Sequence, residues 1–324
     1  MSQLAYRSRA FTLDRETAPA FWLVATLWLP MATGPQTGNQ FSFIEQLMPT
    51  GLGPPTHRHP NAEEGFYVLE GTCLFNANGE TLRAPPGTFV HLPRMLPHSF
   101  SVDTSEARVI NFYAPAGFEV LIMSVAKLAD ARVRPELKDT IPGSAEQIRI
   151  LSRLFGQEEV GALPFCQPTT EALSTTEPGA WTIGALHTAQ VDTAPVHSAF
   201  GLTWRALASS RDTSGTYDLF VVDAPAGAGP PPRIVADSEA MYVLGGGLSL
   251  SLDGVGAKVG EGTFAWIPAG STCDWRAGGE GARLLVFHLP GGFDEAITGN
   301  GGDDALIRAH LQASGTRFLP ATIA

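Results

Sequence analysis

The feature that most constrains this chain is an internal repeat whose spacing is about half of its 324 residues. EGFYVLEG (64–71) returns as EAMYVLGG (239–246), GTFVHLP (87–93) as GTFAWIP (262–268), and FYAPAGF (112–118) as FHLPGGF (287–293), always 175 residues later. Upstream the spacing becomes 176: Trp28 answers to Trp204, Pro49 to Pro225, and Gly53-Pro54-Pro55 to Gly229-Pro230-Pro231. One residue is therefore missing from the second copy between Pro231 and Glu239. A period this long is no solenoid, so each copy should build its own core. The expected division is a first domain over 1–143, a helical linker over 144–161, and a second domain over 162–324.

Within a copy, short apolar segments alternate with turn residues. FSFIEQL (41–47), EGFYVLEG (64–71), TCLFNA (72–77), GTFVHLP (87–93), HSFSV (98–102) and ARVINFYA (107–114) read as strands, with Asn78-Gly79 and Pro85-Pro86-Gly87 as turns. The apolar run from Phe21 to Met31 is too short to span a bilayer and reads as one buried strand. Ser144 to Gln147 resembles a capping box leading into IRILSRLFG, and 118–129 and 303–313 also read as helical. The fold expected is all-β: two antiparallel β-barrels of jelly-roll type with a few covering helices.

Composition narrows the function. Apolar residues make up 44% of the chain and charged ones only 16%, with 35 glycines and 25 prolines, which suits strands and tight turns. The net charge of −11 without a basic cluster argues against a nucleic-acid partner. Three dispersed cysteines (Cys73, Cys166, Cys273) and an N-terminus without signal-peptide order lead to the expectation of a reducing, cytoplasmic setting and no membrane partner.

One constellation carries chemistry. His57 and His59 alternate on a strand and so project to one side; Glu64 lies on the next strand and His98 opens a later one. Three imidazoles and a carboxylate form a mixed N/O site suited to one divalent transition metal (Cu, Fe, Mn, Ni or Co), and the absent thiolates argue against structural zinc. In the second copy Glu239 keeps the carboxylate, but Pro232 to Val235 contain no histidine and Cys273 replaces His98. That copy is expected to be metal-free. Parity places Phe66 and Phe100 with the ligands, and Met48, Tyr67, Phe75 and Phe112 are further candidates for a substrate pocket. His91 is left out of the ligand set, and Tyr113 and its counterpart His288 are unassigned.

The spacing Gly51-x5-His57-x-His59-x4-Glu64-x6-Gly71 resembles the first motif of the cupins, and Gly87, Pro93 and His98 match their second. The second departs at Met95, where the family has Gly, and at Val102, where it has Asn; the turn at Met95 is expected to avoid the glycine conformation. By this resemblance His57, His59, Glu64 and His98 are the metal ligands. Among two-domain cupins the chain is most similar to the quercetinases, with HRHPNAEEGFYVLEG as the most telling run. That resemblance implies opening of a flavonol ring with O2 and release of CO, a small aromatic substrate, and Glu64 as both ligand and catalytic base. Apolar surroundings would raise the proton affinity of Glu64 for that task. Another metal-dependent cupin enzyme, of oxalate-degrading or other ring-cleaving type, or a non-enzymatic ligand-binding cupin stays open, as does a homodimer.

Overall fold

The computed structural model describes residues 8–77, 79–136, 145–163, 166–171 and 184–320. Two compact units are present: Ala18–Asp192, and Thr193–Ala324 together with the N-terminal segment up to Thr17. The N-terminal strand β1 (Phe11–Asp14) belongs to the latter.

The Ala18–Asp192 unit contains two sheets. Its strands are β2 (Phe21–Leu23), β3 (Thr26–Ala32), β4 (Ser42–Pro49), β5 (His57–Arg58), β6 (Glu63–Glu70), β7 (Cys73–Ala77), β8 (Glu80–Ala84), β9 (Thr88–Leu92), β10 (His98–Val102), β11 (Glu106–Ala114), β12 (Lys127–Leu128), β13 (Glu158–Glu159) and β14 (His187–Gln190). The larger sheet runs β12-β2-β3-β4-β11-β6-β9-β14 and the smaller β13-β5-β10-β7-β8. Helices α1 (Gly34–Thr37), α2 (Glu119–Val125) and α3 (Ala145–Leu154) complete it.

In the other unit one sheet of ten strands holds β1 with β15 (Val196–Ala199), β16 (Leu202–Ala208), β17 (Asp218–Ala224), β18 (Arg233–Ile234), β19 (Ser238–Leu252), β20 (Val255–Gly260), β21 (Thr263–Ile267), β22 (Thr272–Leu289) and β23 (Arg317–Phe318). Helices α4 (Phe293–Thr298) and α5 (Asp304–Ala313) follow its last long strands, and Asp303 caps α5 by accepting from the amides of Ala305 and Leu306.

The expectation of two closed all-β barrels is corrected. Strand at 48% and helix at 12% make a mixed α/β composition, and the sheets are open among the described residues. Every strand path ends on edges, β12 and β14 or β13 and β8 in the Ala18–Asp192 unit, so no ladder among the described residues runs back to its start. Gly71, at φ +75°, lies between β6 and β7, which belong to different sheets; a Cβ there would lie 2.2 Å from the carbonyl oxygen of Glu106. In the other copy β19 and β22 run through without that break and keep their pairing across bulges near Gly245 and Gly246. Alternation in a sequence reports pairing, and the division of strands between sheets depends on such turns.

Smaller expectations also shift. The run from Phe21 to Met31 is a hairpin, β2 and β3, with Val24 and Ala25 both at positive φ between them. The helix expected over 118–129 ends at Val125, and Lys127 and Leu128 pair with β2. Ser144 and Asn78 fall outside the described residues. Met95 does adopt the left-handed conformation, at φ +69°, and its amide donates to the carbonyl of His59 at 2.9 Å.

Packing follows the alternation of the strands. The inward faces of β4, β6, β7, β10 and β11 meet in one apolar core that includes Met48, Phe66, Val68, Phe75 and Val109. No helix among the described residues is long and apolar enough to cross a membrane.

Candidate metal centre

At one end of this core four buried side chains converge. His57 sits on β5, His59 in the loop after it, Glu64 on β6 and His98 at the start of β10, directly opposite His57 in the ladder. One ligand atom from each lies within 4.8 Å of the others. Both sheets of the unit thus contribute, which local alternation alone does not require.

Each imidazole is oriented from behind. Nδ1 of His57 lies 2.9 Å from the carbonyl of Pro55, that of His59 2.8 Å from Gly156, and that of His98 2.8 Å from Leu96. A carbonyl can only accept, so each Nδ1 carries a proton and each Nε2 is left with a lone pair facing inward. Those atoms lie 3.9, 3.2 and 2.8 Å from Oε2 of Glu64 for His57, His59 and His98 respectively. Nε2 of His59 is buried without a hydrogen-bond partner. Four acceptors gathered out of water repel one another unless a cation stands between them. The donor set fits one divalent transition metal, held by His57, His59, Glu64 and His98.

Glu64 is held on its other side as well. Oε1 accepts from the Tyr113 hydroxyl at 2.5 Å and from Nδ2 of Asn111 at 2.9 Å. Burial alone would raise the Glu64 carboxyl, but the imidazoles of His59 and His98 beside it outweigh that and hold the group well below the usual carboxylate range. The expectation that apolar surroundings raise its proton affinity is thereby corrected. Burial, and then the neighbouring His98 imidazole, pushes His57 down to about 3. Burial, and then the charge of Glu64, pushes the Tyr113 phenol well above its usual range, so it stays a donor.

Behind Glu64 the sheet is fitted tightly. A Cβ on Gly65 would come within 2.0 Å of the Phe112 ring, which packs on the opposite face of the sheet against Phe41 and Phe89.

The cluster opens into a cavity of about 270 Å³ that His57 and Glu64 line together with Trp28, Gln46, Met48, Phe100, Asn111 and Tyr113. Leu121 and Ile122 of α2 and Arg149 and Arg153 of α3 also border it. Of the six residues suggested for a pocket, Met48 and Phe100 line this cavity. Phe66 and Phe75 lie beneath it, 5.1 Å apart between ring centroids and each within 5.5 Å of Phe100. Tyr67 and Phe112 project from the other face of β6 and β11, away from Glu64. Sequence reasoning missed Gln46, Asn111 and the fixing role of Tyr113. It also missed the linker, whose Gly156 carbonyl orients His59 and whose Glu158 pairs with Arg58 at 2.9 Å. His91 is buried on β9, opposite Gly65 on one side and His187 on the other.

In the other unit the corresponding residues make no such cluster. Arg233 stands where His57 does, opposite Cys273 as His57 is opposite His98, and its guanidinium reaches both carboxylate oxygens of buried Glu239. His288, the counterpart of Tyr113, stacks on Phe293 with centroids 3.6 Å apart. Burial pushes the Cys273 thiol up to about 12, which leaves it protonated and inert.

Residues 43–113 match the model of the cupin domain, and they hold all four ligands. That match covers 71 of the 324 residues. It is 23% identical to quercetin 2,3-dioxygenase of Bacillus subtilis (strain 168) over 274 residues, covering 82% of this chain and 77% of that protein. Among solved structures, oxalate decarboxylase from Bacillus subtilis aligns over 94% of this chain and 84% of its own, with TM-score 0.57 and 14% identity. Protein Ylba from E. coli aligns over 87% and 92%, with TM-score 0.56 and 11% identity. These structural likenesses are ones of fold.

Proposed function

We propose that this chain is a metal-dependent cupin enzyme that acts on a small organic molecule bound above His57, His59, Glu64 and His98. The observation that carries it is the set of four buried acceptors, each histidine turned by a carbonyl behind it, with His57 and Glu64 lining a cavity. A divalent metal held there would act as a Lewis acid toward a substrate oxygen. Tyr113 and Asn111 hold Oε1 of Glu64 and so fix where Oε2 points. Phe100, Trp28, Leu121 and Ile122 keep water away from a bound molecule. Glu64 is the proposed acceptor of a substrate proton, with Tyr113 remaining a donor beside it.

This wider reading, another metal-dependent cupin enzyme, has better support than the flavonol reaction taken from the sequence. Ring opening of a flavonol with O2 rests on 23% identity to one dioxygenase and on the aromatic walls of the cavity. Oxalate degradation is the second reading, favoured by Arg149 and Arg153, because a small dianion needs cations near it. Protein loaded with each of Mn, Fe, Co, Ni and Cu, checked for one ion per chain, would be assayed in air with quercetin and with oxalate. CO release and loss of the flavonol absorption support the first substrate, and CO2 with formate the second. Absence of turnover of both, with every metal bound, would count against an enzyme of either type.

A further inference from the structure

The cavity contains one buried acceptor that the protein leaves unused. Gln46 is 2% exposed, lines the cavity opposite Trp28 in the β3–β4 ladder, and its Oε1 has no hydrogen-bond partner. Its orientation is dictated from the metal cluster. A carboxylate only accepts, so Asn111 must turn Nδ2 to Glu64; its Oδ1 then faces Gln46, which must answer with Nε2, at 2.9 Å. Oε1 of Gln46 is thereby forced to the remaining direction, and flipping either amide would set like groups against each other. Neighbouring donors are committed elsewhere: the indole of Trp28 to the carbonyl of Leu23, and the Thr26 hydroxyl to that of Val24. In the unit without the metal cluster the two counterpart positions are Val222 and Val286, both inside an apolar core. The amide pair accompanies the metal cluster and is not a general requirement of the fold.

We infer that Gln46 is a substrate-recognition residue whose Oε1 accepts a hydrogen bond from a hydroxyl on the bound molecule. The ligand class is a largely apolar molecule carrying a donor hydroxyl, and Asn111 acts as a positioning residue between that hydroxyl's acceptor and Glu64. The inference rests on the cavity being a small-molecule site, as proposed above. A site built to pair a hydroxyl discriminates strongly against an analogue lacking it, because the buried acceptor is then stranded.

The test uses 2-naphthol and 2-methoxynaphthalene as probes, bound to the full metal-loaded chain with O2 excluded and followed by fluorescence. The wild-type chain is expected to prefer the naphthol by about tenfold or more. Gln46→Met, similar in volume, is expected to bring the two affinities within about twofold while metal content stays at one ion per chain. Gln46→Leu is read alongside it, so that a folding failure of one variant does not decide the question. Equal affinities in the wild-type chain, as when water serves the acceptor, would overturn the inference; so would no binding of either probe, or a preference that survives both substitutions. Turnover of quercetin and oxalate is scored separately on the wild-type chain, so failure of the proposed reaction is distinguishable from failure of hydroxyl recognition.

Discussion

Arg233 grips Glu239 with two nitrogens, Nη2 at 2.6 Å from Oε2 and Nε at 3.3 Å from Oε1, with both side chains buried. The guanidinium occupies the position that His57 holds in the other copy. A built-in cation there compensates the carboxylate that a metal would compensate in the first copy. Removing it should strand Glu239. Arg233→Met is expected to cost about 3–5 kcal/mol in denaturant unfolding, and Arg233→Met with Glu239→Gln to recover most of that. Metal content should stay at one ion per chain in both.

Glu64→Gln keeps the shape of a ligand and removes its charge. The variant should retain much of its metal yet lose turnover of whichever substrate the wild-type chain accepts. Elemental analysis beside the rate decides it: full turnover would remove Glu64 as the proton acceptor.

Tyr113→Phe removes one of two donors to Oε1 of Glu64 and leaves the ring packed against Phe118, 4.7 Å between centroids. Metal affinity should fall about 10–100-fold, the usual effect of losing such a supporting hydrogen bond. A competition titration with a chelator measures it.

Met95 holds a left-handed conformation where the second copy has Gly270, at φ +86°. Met95→Gly should relieve strain of about 1–2 kcal/mol, less the entropy cost of glycine, for a net gain of about 1 kcal/mol or below. The midpoint of denaturant unfolding reports the sign.

Asp218 is pushed up to about 7 by burial and by the charge of Asp294 beside it. Its folded form therefore holds a proton that the unfolded chain releases near pH 4. The stability it contributes is present below pH 4 and is lost as pH rises toward 7. Asp218→Asn, which can still accept from the amides of Gly292 and Asp294, should lessen the fall in stability between pH 5 and pH 8. Paired unfolding curves at the two pH values test this.

The four metal-site residues were legible because their spacing is a joint constraint, and the repeat supplied a comparison in which three of them are absent. The 176-residue offset even points from His57 to Arg233, though the ion pair it makes was not anticipated. Gln46 and Asn111 were hidden because they lie on different strands, and facing in β11 cannot be counted from one end. A register shift between Arg108 and Val109 interrupts its pairing with β6. Phe112 was the candidate on this strand, whereas Asn111 and Tyr113 are the ones beside Glu64. The shared position of Tyr113 and His288, polar in both copies, was the available signal. The division into two sheets was not legible, because it turns on whether Gly71 breaks one long strand into β6 and β7.

Gly65 offers a last consequence. The Phe112 ring occupies the space a side chain would need, next to the residue that carries the carboxylate. The position of Glu64 is therefore gauged from the far side of the sheet, by an aromatic plug that never sees the ion. The other copy has Ala240 at this place, opposite Phe287. A methyl group is tolerable where a salt bridge must merely close, and a hydrogen alone is allowed where four ligands must meet at one point.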